Sequence, residues 1–144
     1  MAVTQSATTT WSGNLASGQG SVNLDTSSKG TFDVSWRARA EETGGQTSPE
    51  ELIAAAHSSC FSMALSHALG EAGYTPEKIQ TNSKVTFVAG EGIKSSALTL
   101  KAVVPGIEED EFQNIAQGAK EGCPVSQALS GIEITLEAEL LATA

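Results

Sequence analysis

Alternation of apolar and polar side chains marks the strands in the first third of the chain. Two short strand-like pieces, at about residues 8–13 and 20–25, flank a turn rich in glycine and predict a β-hairpin. Residues 31–41 alternate with a period of two, which predicts a third strand with Arg37 and Arg39 on one face. A charged strand face is usually solvated, and that is the simplest interpretation of the two arginines.

A long helix is predicted next. Ser48 has the character of an N-cap residue, Pro49 suits the first helical position, and the acidic residues that follow favour the first turn. The apolar pattern continues to about residue 71, and Gly73 is the expected C-terminal punctuation. Because this helix is apolar on nearly all sides, we expect it to be buried in its own domain or in a subunit interface.

The second half of the chain contains three more alternating segments, at about residues 79–89, 93–104 and 132–140. Two helical segments, at about 108–120 and 124–130, separate the second of these strands from the third. The predicted element order is therefore βββ-α-ββ-α-α-β. Segregated strands with antiparallel-type alternation predict an α+β fold rather than a doubly wound parallel sheet.

Composition narrows the functional classes. At 144 residues the chain can bury a core without disulfides or metals, and we predict one domain over residues 1–144. A formal charge of −9 disfavours a nucleic-acid partner, which needs clustered lysine and arginine. The first residues do not resemble a signal peptide, and glutamate, serine and histidine interrupt the apolar helix, so no stretch approaches a membrane span. We expect a cytoplasmic protein with no membrane partner.

The chain has two cysteines, Cys60 within the long helix and Cys123 at the start of a short one. A distant pair of thiols without an export signal indicates redox chemistry more than disulfide architecture. The helix N-terminus would stabilise a Cys123 thiolate, so helix position alone predicts that Cys123 is the more acidic thiol. A buried apolar role is the simplest interpretation of Cys60, and a nucleophilic Cys60 would need a nearby histidine or arginine.

Four segments carry a resemblance to a known family, and two of them contain the cysteines. They are Pro-Glu-Glu-Leu-Ile-Ala-Ala-Ala-His-Ser-Ser-Cys-Phe-Ser-Met-Ala-Leu-Ser at 49–66, Gly-Glu-Ala-Gly-Tyr-Thr-Pro at 70–76, Val-Pro-Gly-Ile at 104–107 and Ala-Lys-Glu-Gly-Cys-Pro-Val-Ser-Gln-Ala-Leu at 119–129. Together they resemble the OsmC branch of the osmotically inducible protein C/organic hydroperoxide resistance family of bacterial thiol peroxidases. The resemblance covers nearly the whole chain and is weakest before residue 30.

The resemblance implies an OsmC-like fold, with antiparallel sheets wrapped around long central helices in an intertwined homodimer. It implies that Cys60 is the peroxidatic thiolate and Cys123 the resolving cysteine, which reverses the ranking from helix position. Glu50 becomes the acidic partner of an active-site arginine, for which Arg39 aligns best and Arg37 is the reserve. The implied substrates are organic hydroperoxides more than hydrogen peroxide, with a thiol or dithiol reductant and no cofactor.

Helix geometry also favours a dimer. Ten residues of one helix place Glu50 and Cys60 about 15 Å apart, so a site that contains both needs a second copy or a bent helix. The segment from Glu50 to Leu69 contains no glycine or proline, so the sequence gives no signal for a kink. We therefore expect a homodimer in which the arginine or Glu50 is donated in trans.

Two other functions remain open at this level. A zinc site is disfavoured because His57 and His67 lie about 15 Å apart along a helix, and we predict no bound metal. A dimer with an apolar cleft could instead be a non-enzymatic binding module for small apolar ligands. The spacing of Cys60 and Cys123 excludes a Cys-X-X-Cys oxidoreductase.

Overall fold

The computed structural model describes residues 1–143. They divide into two compact units, one ending at Leu52 and the other starting at Ile53, and the single domain over 1–144 stays a prediction. The elements in chain order are β1 (Thr8–Ser12), β2 (Gln19–Asn23), β3 (Thr31–Val34), α1 (Trp36–Ala40), α2 (Pro49–Glu71), β4 (Lys78–Val88), β5 (Gly92–Val103), α3 (Glu109–Gly122), α4 (Pro124–Ala128) and β6 (Glu133–Leu140).

The first unit contains a three-stranded antiparallel sheet in the order β1-β2-β3, so the predicted hairpin is confirmed. The prediction of a strand over residues 31–41 is wrong beyond Val34, because α1 begins at Trp36. The Ser35 hydroxyl accepts a hydrogen bond from the Ala38 N–H at 3.1 Å and caps this helix. Arginine and alanine are good helix formers, so the local cap outweighs the period-two pattern.

This correction changes the arrangement of the two arginines. On a strand, residues two apart share a face, whereas on a helix they point about 200° apart. Arg37 and Arg39 therefore do not form one charged face, and each has its own acidic partner.

Helix α2 begins and ends where the sequence predicts. The Ser48 hydroxyl accepts a hydrogen bond from the Glu51 N–H at 3.1 Å, which confirms the N-cap. At the other end, Gly73 adopts a φ of +90°, and the Tyr74 N–H donates to the Leu69 carbonyl at 2.8 Å. This is the Schellman ending, in which glycine takes the left-handed conformation without a Cβ penalty.

One face of α2 is buried and the other is not. The fully buried residues recur every fourth position and are His57, Phe61, Leu65 and Leu69. On the opposite side Met63 is 71% exposed. The 23-residue helix is also long and apolar enough to cross a membrane by length and composition, which corrects the expectation that no stretch approaches a span. Its alanine, leucine and phenylalanine residues outweigh its serines and histidines, and its buried face packs as a core helix.

The second unit contains a sheet in the order β4-β5-β6. Strands β4 and β5 form an antiparallel hairpin, whereas β5 and β6 pair in parallel. The α+β class is confirmed, but the expectation of purely antiparallel sheets is wrong at this pairing. The chain leaves β5 and crosses back through α3 and α4 before β6, and such a crossover is the connection that parallel strands require.

A single hydrophobic cluster brings α2, α3 and the sheet of the second unit together. Its buried members include Phe61, Leu65, Leu69, Leu98, Leu100, Ala102, Phe112, Ala116, Ala119 and Cys123. Cys60 is partly buried and packs against this cluster. The core therefore contains one of the two thiols and borders the other.

Candidate active site

The two thiols meet, although 63 residues separate them in the sequence. Cys60 Sγ and Cys123 Sγ lie 3.0 Å apart, and both cysteines are free. Helix α2 supplies Cys60, and the junction between α3 and α4 supplies Cys123. Since a disulfide bond measures about 2.05 Å, a small movement of either side chain would join the two sulfurs.

The thiols differ in their access to solutes. Cys60 is half-buried, whereas Cys123 is 0% exposed. Cys60 also lines a pocket of about 630 Å³ whose other lining residues are mostly small or apolar: Met63, Ala64, His67, Ala68, Ile115, Gly118, Ala119, Gly122 and Pro124. A solute in this pocket can reach Cys60, while Cys123 does not line it.

The surroundings move the two thiol pKa values in opposite directions. Burial raises the pKa of Cys60, and the hydrogen bond with Cys123 raises it further. Burial also opposes ionisation of Cys123, but interactions with Cys60, with the Ser126 hydroxyl and with the N–H groups of Val125 and Ser126 outweigh it and lower the Cys123 pKa. Cys123 is the N-cap residue of α4, so these directions agree with the ranking from helix position.

Arg39 and Glu50 form an ion pair within the first unit. Arg39 Nε lies 3.1 Å from each carboxylate oxygen of Glu50, and Nη2 lies 3.0 Å from Oε2. The Glu50 side chain is 8% exposed and that of Arg39 is 31% exposed. Arg37 instead pairs with Glu41, with 3.6 Å between Arg37 Nε and Glu41 Oε2. The Arg37 side chain is 70% exposed and that of Glu41 is 66% exposed. Of the two candidate arginines, Arg39 is the one that contacts Glu50.

A buried hydrogen-bond chain lies beside the thiols, and the sequence analysis did not identify it. His57 Nδ1 is 2.6 Å from Ser96 Oγ, and His57 Nε2 is 2.8 Å from Ser126 Oγ. Ser96 Oγ is in turn 2.8 Å from Ser83 Oγ. Burial lowers the pKa of His57, so the imidazole is neutral at neutral pH.

The sequence contains a signal for this hydrogen-bond chain. His57 precedes Cys60 by three residues and Ser126 follows Cys123 by three, which is the spacing of neighbours on a helix surface. The spacing does not reveal that the histidine and the serine face each other. Residues 1–143 contain no group of three or more histidine, cysteine, aspartate or glutamate side chains that could hold a metal ion.

Comparisons with known proteins agree on one family. The family described as OsmC-like protein matches residues 42–137. Peroxiredoxin OsmC of Escherichia coli (strain K12) is 45% identical over 133 residues, which cover 90% of this chain and 92% of that protein. Organic hydroperoxide resistance protein OhrA of Bacillus subtilis (strain 168) is 30% identical over 133 residues, covering 87% and 86%.

Solved structures of similar proteins have the same fold. The organic hydroperoxide resistance protein OhrB of Bacillus subtilis matches with a TM-score of 0.70 at 27% identity, covering 93% of this chain and 98% of that chain. An organic hydroperoxide resistance protein OsmC from Legionella pneumophila matches with a TM-score of 0.70 at 26% identity, covering 93% and 96%.

Proposed function

The chain belongs to the OsmC-like protein family, and we propose that it is a cysteine-based peroxidase that reduces organic hydroperoxides to alcohols. The observation that carries this proposal is the pair of free thiols 3.0 Å apart, one of which lines an apolar pocket. A thiol pair at this distance can be oxidised to a disulfide and reduced again, which is the cycle of a two-cysteine peroxidase.

The difference in access supports the roles that we propose for the two cysteines. Cys60 faces the pocket, so its thiolate attacks one oxygen of the hydroperoxide, the O–O bond breaks, and the departing alkoxide takes a proton to become the alcohol. Cys60 is left as a sulfenic acid. The buried Cys123 thiolate then attacks the Cys60 sulfur, the S–S bond forms, and hydroxide leaves and is protonated to water. A thiol or dithiol reductant restores both thiols by exchange.

Burial raises the pKa of Cys60, and a cation near its sulfur would favour the thiolate, which is the nucleophile. Arg39 is the proposed cation, held in orientation by its ion pair with the buried Glu50. Arg37 is the weaker candidate because its partner Glu41 is exposed. A guanidinium at the thiolate would lower the pKa of Cys60 and hydrogen-bond the peroxide oxygens.

A homodimer is proposed as the active form. The argument from helix geometry, that Glu50 and Cys60 need a second copy to share one site, supports donation of the arginine in trans. The exposed side of α2, which includes Met63, is the surface that we expect the second copy to cover. We also propose a cytoplasmic location, where thiol reductants keep cysteines reduced between turnovers.

The pocket supports a preference for organic hydroperoxides. Its volume of about 630 Å³ and its alanine, glycine, isoleucine and methionine lining suit an alkyl group better than water. The same pocket supports the second candidate function, a binding module for small apolar ligands. A binder would not need the adjacent thiols, so removal of Cys60 separates the two functions.

Steady-state peroxide consumption tests the proposal. An organic hydroperoxide and hydrogen peroxide are compared in parallel, each with a dithiol and a monothiol reductant. We expect kcat/KM to be at least about 10-fold higher for the organic substrate, because a well-filled apolar pocket discriminates by that order. Cys60→Ser should abolish turnover. Full activity in Cys60→Ser, or ligand binding without turnover in the wild type, would reject the peroxidase function.

A further inference from the structure

Three buried polar side chains and the half-buried Ser83 lie in a row in the second unit. Ser83, Ser96, His57 and Ser126 are linked in that order at 2.8, 2.6 and 2.8 Å. His57 and Ser96 are 0% exposed, and Ser126 is 6% exposed. The row ends next to Cys123, because Ser126 is the third residue of α4 and Cys123 is the N-cap, two positions whose side chains meet at a helix start. The Ser126 hydroxyl is also among the groups that lower the Cys123 pKa. Buried polar side chains are costly unless each has a hydrogen-bond partner. The position of a reactive thiol at the end of the row therefore indicates a role for the row in the chemistry of that thiol.

The number of protons fixes the direction of these hydrogen bonds when Cys123 is ionised. Each serine hydroxyl has one proton to donate, and a neutral imidazole has one N–H. If the Ser126 hydroxyl donates to the thiolate, Ser126 Oγ can accept from His57 only when the proton is on Nε2. His57 Nδ1 is then an acceptor.

The remaining two links follow from that tautomer. The Ser96 hydroxyl must donate to His57 Nδ1, and the Ser83 hydroxyl can donate to Ser96. All four donors then point towards Cys123. Aligned hydrogen bonds polarise one another, so the far members strengthen the bond that Ser126 makes to the sulfur.

We propose that His57 is a positioning residue that holds the Ser126 hydroxyl as a hydrogen-bond donor to the Cys123 thiolate. The consequence for catalysis rests on the proposed roles of the two cysteines. Cys123 bears negative charge in two steps, when it attacks the Cys60 sulfenic acid and when the reductant opens the disulfide.

In the second of these steps a reductant thiolate attacks Cys60 Sγ, the S–S bond breaks, and the electron pair leaves on Cys123. A second reductant thiolate then releases Cys60 from the mixed disulfide. Because Cys123 is fully buried, bulk water does not solvate its charge. The hydrogen-bond chain through His57 supplies part of the stabilisation in its place, together with the N–H groups of Val125 and Ser126.

A purely structural role is the alternative. The same contacts tie α2 to β5 and α4, so their loss would reduce stability whether or not they act on the thiol. The pKa of Cys123 distinguishes the two roles. It is best measured in a Cys60→Ala background, where Cys123 is the one remaining thiol and its titratable neighbour is removed. Thiolate absorbance near 240 nm is recorded against pH.

In that background we expect Ser126→Ala to lower the acid dissociation constant of the Cys123 thiol about tenfold, since hydrogen bonds to a charged group are worth at least that factor. His57→Leu leaves the Ser126 hydroxyl free to turn away from the sulfur and should approach the same loss. His57→Gln keeps an amide donor and an acceptor and should stay within about twofold of the parent. Ser126→Thr should restore the parent value. The serine variants provide the test if His57→Leu does not fold.

Unchanged Cys123 ionisation in both folded His57→Leu and folded Ser126→Ala would overturn the proposal and leave a structural contact only. The titration uses no peroxide, so it stands apart from the peroxidase function. In the two-cysteine protein, His57→Leu should slow formation of the disulfide once Cys60 has been oxidised. If the hydroperoxide does not oxidise Cys60 in the wild type, the proposed function is rejected instead.

Discussion

Replacing Arg39 by methionine should destabilise the protein, because it removes the partner of a buried carboxylate. Breaking a buried ion pair costs about 3–5 kcal/mol when one charge is left uncompensated. Here Glu50 is 8% exposed but Arg39 is 31% exposed, so water can replace part of the guanidinium. Glu50 also lies in the first turn of α2, where the helix dipole stabilises its charge. We therefore expect a loss of about 2 kcal/mol in the free energy of unfolding.

Urea unfolding under reducing conditions measures this loss. Protein concentration must be the same for all variants, because subunit association would add to the apparent stability. Arg37→Met is the matched control: its ion pair with Glu41 is 70% and 66% exposed and should be worth less than about 0.5 kcal/mol. Adding Glu50→Gln to Arg39→Met removes the unpaired charge and should recover about 1 kcal/mol.

The reasoning fails if Arg39→Met and Arg37→Met unfold with free energies within about 0.5 kcal/mol of each other. That result would mean that the carboxylate of Glu50 is solvated or held by another group. A double variant less stable than Arg39→Met would contradict the buried charge as the cause of the loss.

Three further predictions concern the pocket, the buried imidazole and the guanidinium. A Cβ at Gly118 meets nothing within 4 Å, so Gly118→Leu should fill the pocket. It should lower kcat/KM for a bulky organic hydroperoxide about 10-fold relative to hydrogen peroxide. Gly118→Ala is the control, and an equal fall in kcat/KM for both substrates would contradict pocket filling. Because the lowered pKa keeps His57 neutral in the fold while the unfolded chain takes up a proton, the free energy of unfolding should fall as pH drops below about 6.5. In urea titrations His57→Gln should flatten that slope relative to the wild type, and an unchanged slope would exclude His57 as the source. Arg39→Met should slow alkylation of Cys60 by iodoacetamide at neutral pH, and an unchanged rate would remove Arg39 from the thiolate's surroundings.

Local signals predicted the elements whose ends are encoded by their own residues. Ser48 and Gly73 mark the ends of α2, and both act at the predicted positions. The same kind of local signal overturned the third strand, because one hydroxyl at Ser35 caps a five-residue helix that a period-two pattern conceals. The parallel pairing of β5 with β6 depends on the path of the crossover, which residue alternation does not encode.

Part of the candidate site could likewise be predicted from the sequence, and part required the fold. Residue types and spacing left Cys60 open to a buried apolar role, and the family resemblance implied that it reacts with Cys123. Their 3.0 Å contact arises from tertiary packing across 63 residues. The contact of His57 with Ser96 spans 39 residues and was missed for that reason. Residue types and the family resemblance therefore indicated the chemistry, while the partners that tune it required the fold.

Peptide mapping by mass spectrometry after one equivalent of an organic hydroperoxide tests most directly whether Cys60 receives the oxygen and Cys123 resolves it. We predict a Cys60–Cys123 disulfide in the wild type, and in Cys123→Ser a sulfenic or higher acid confined to Cys60. Cys60→Ser should consume no peroxide. A sulfenic acid on Cys123 in Cys60→Ser, with peroxidase activity retained, would contradict the account and reverse the two roles.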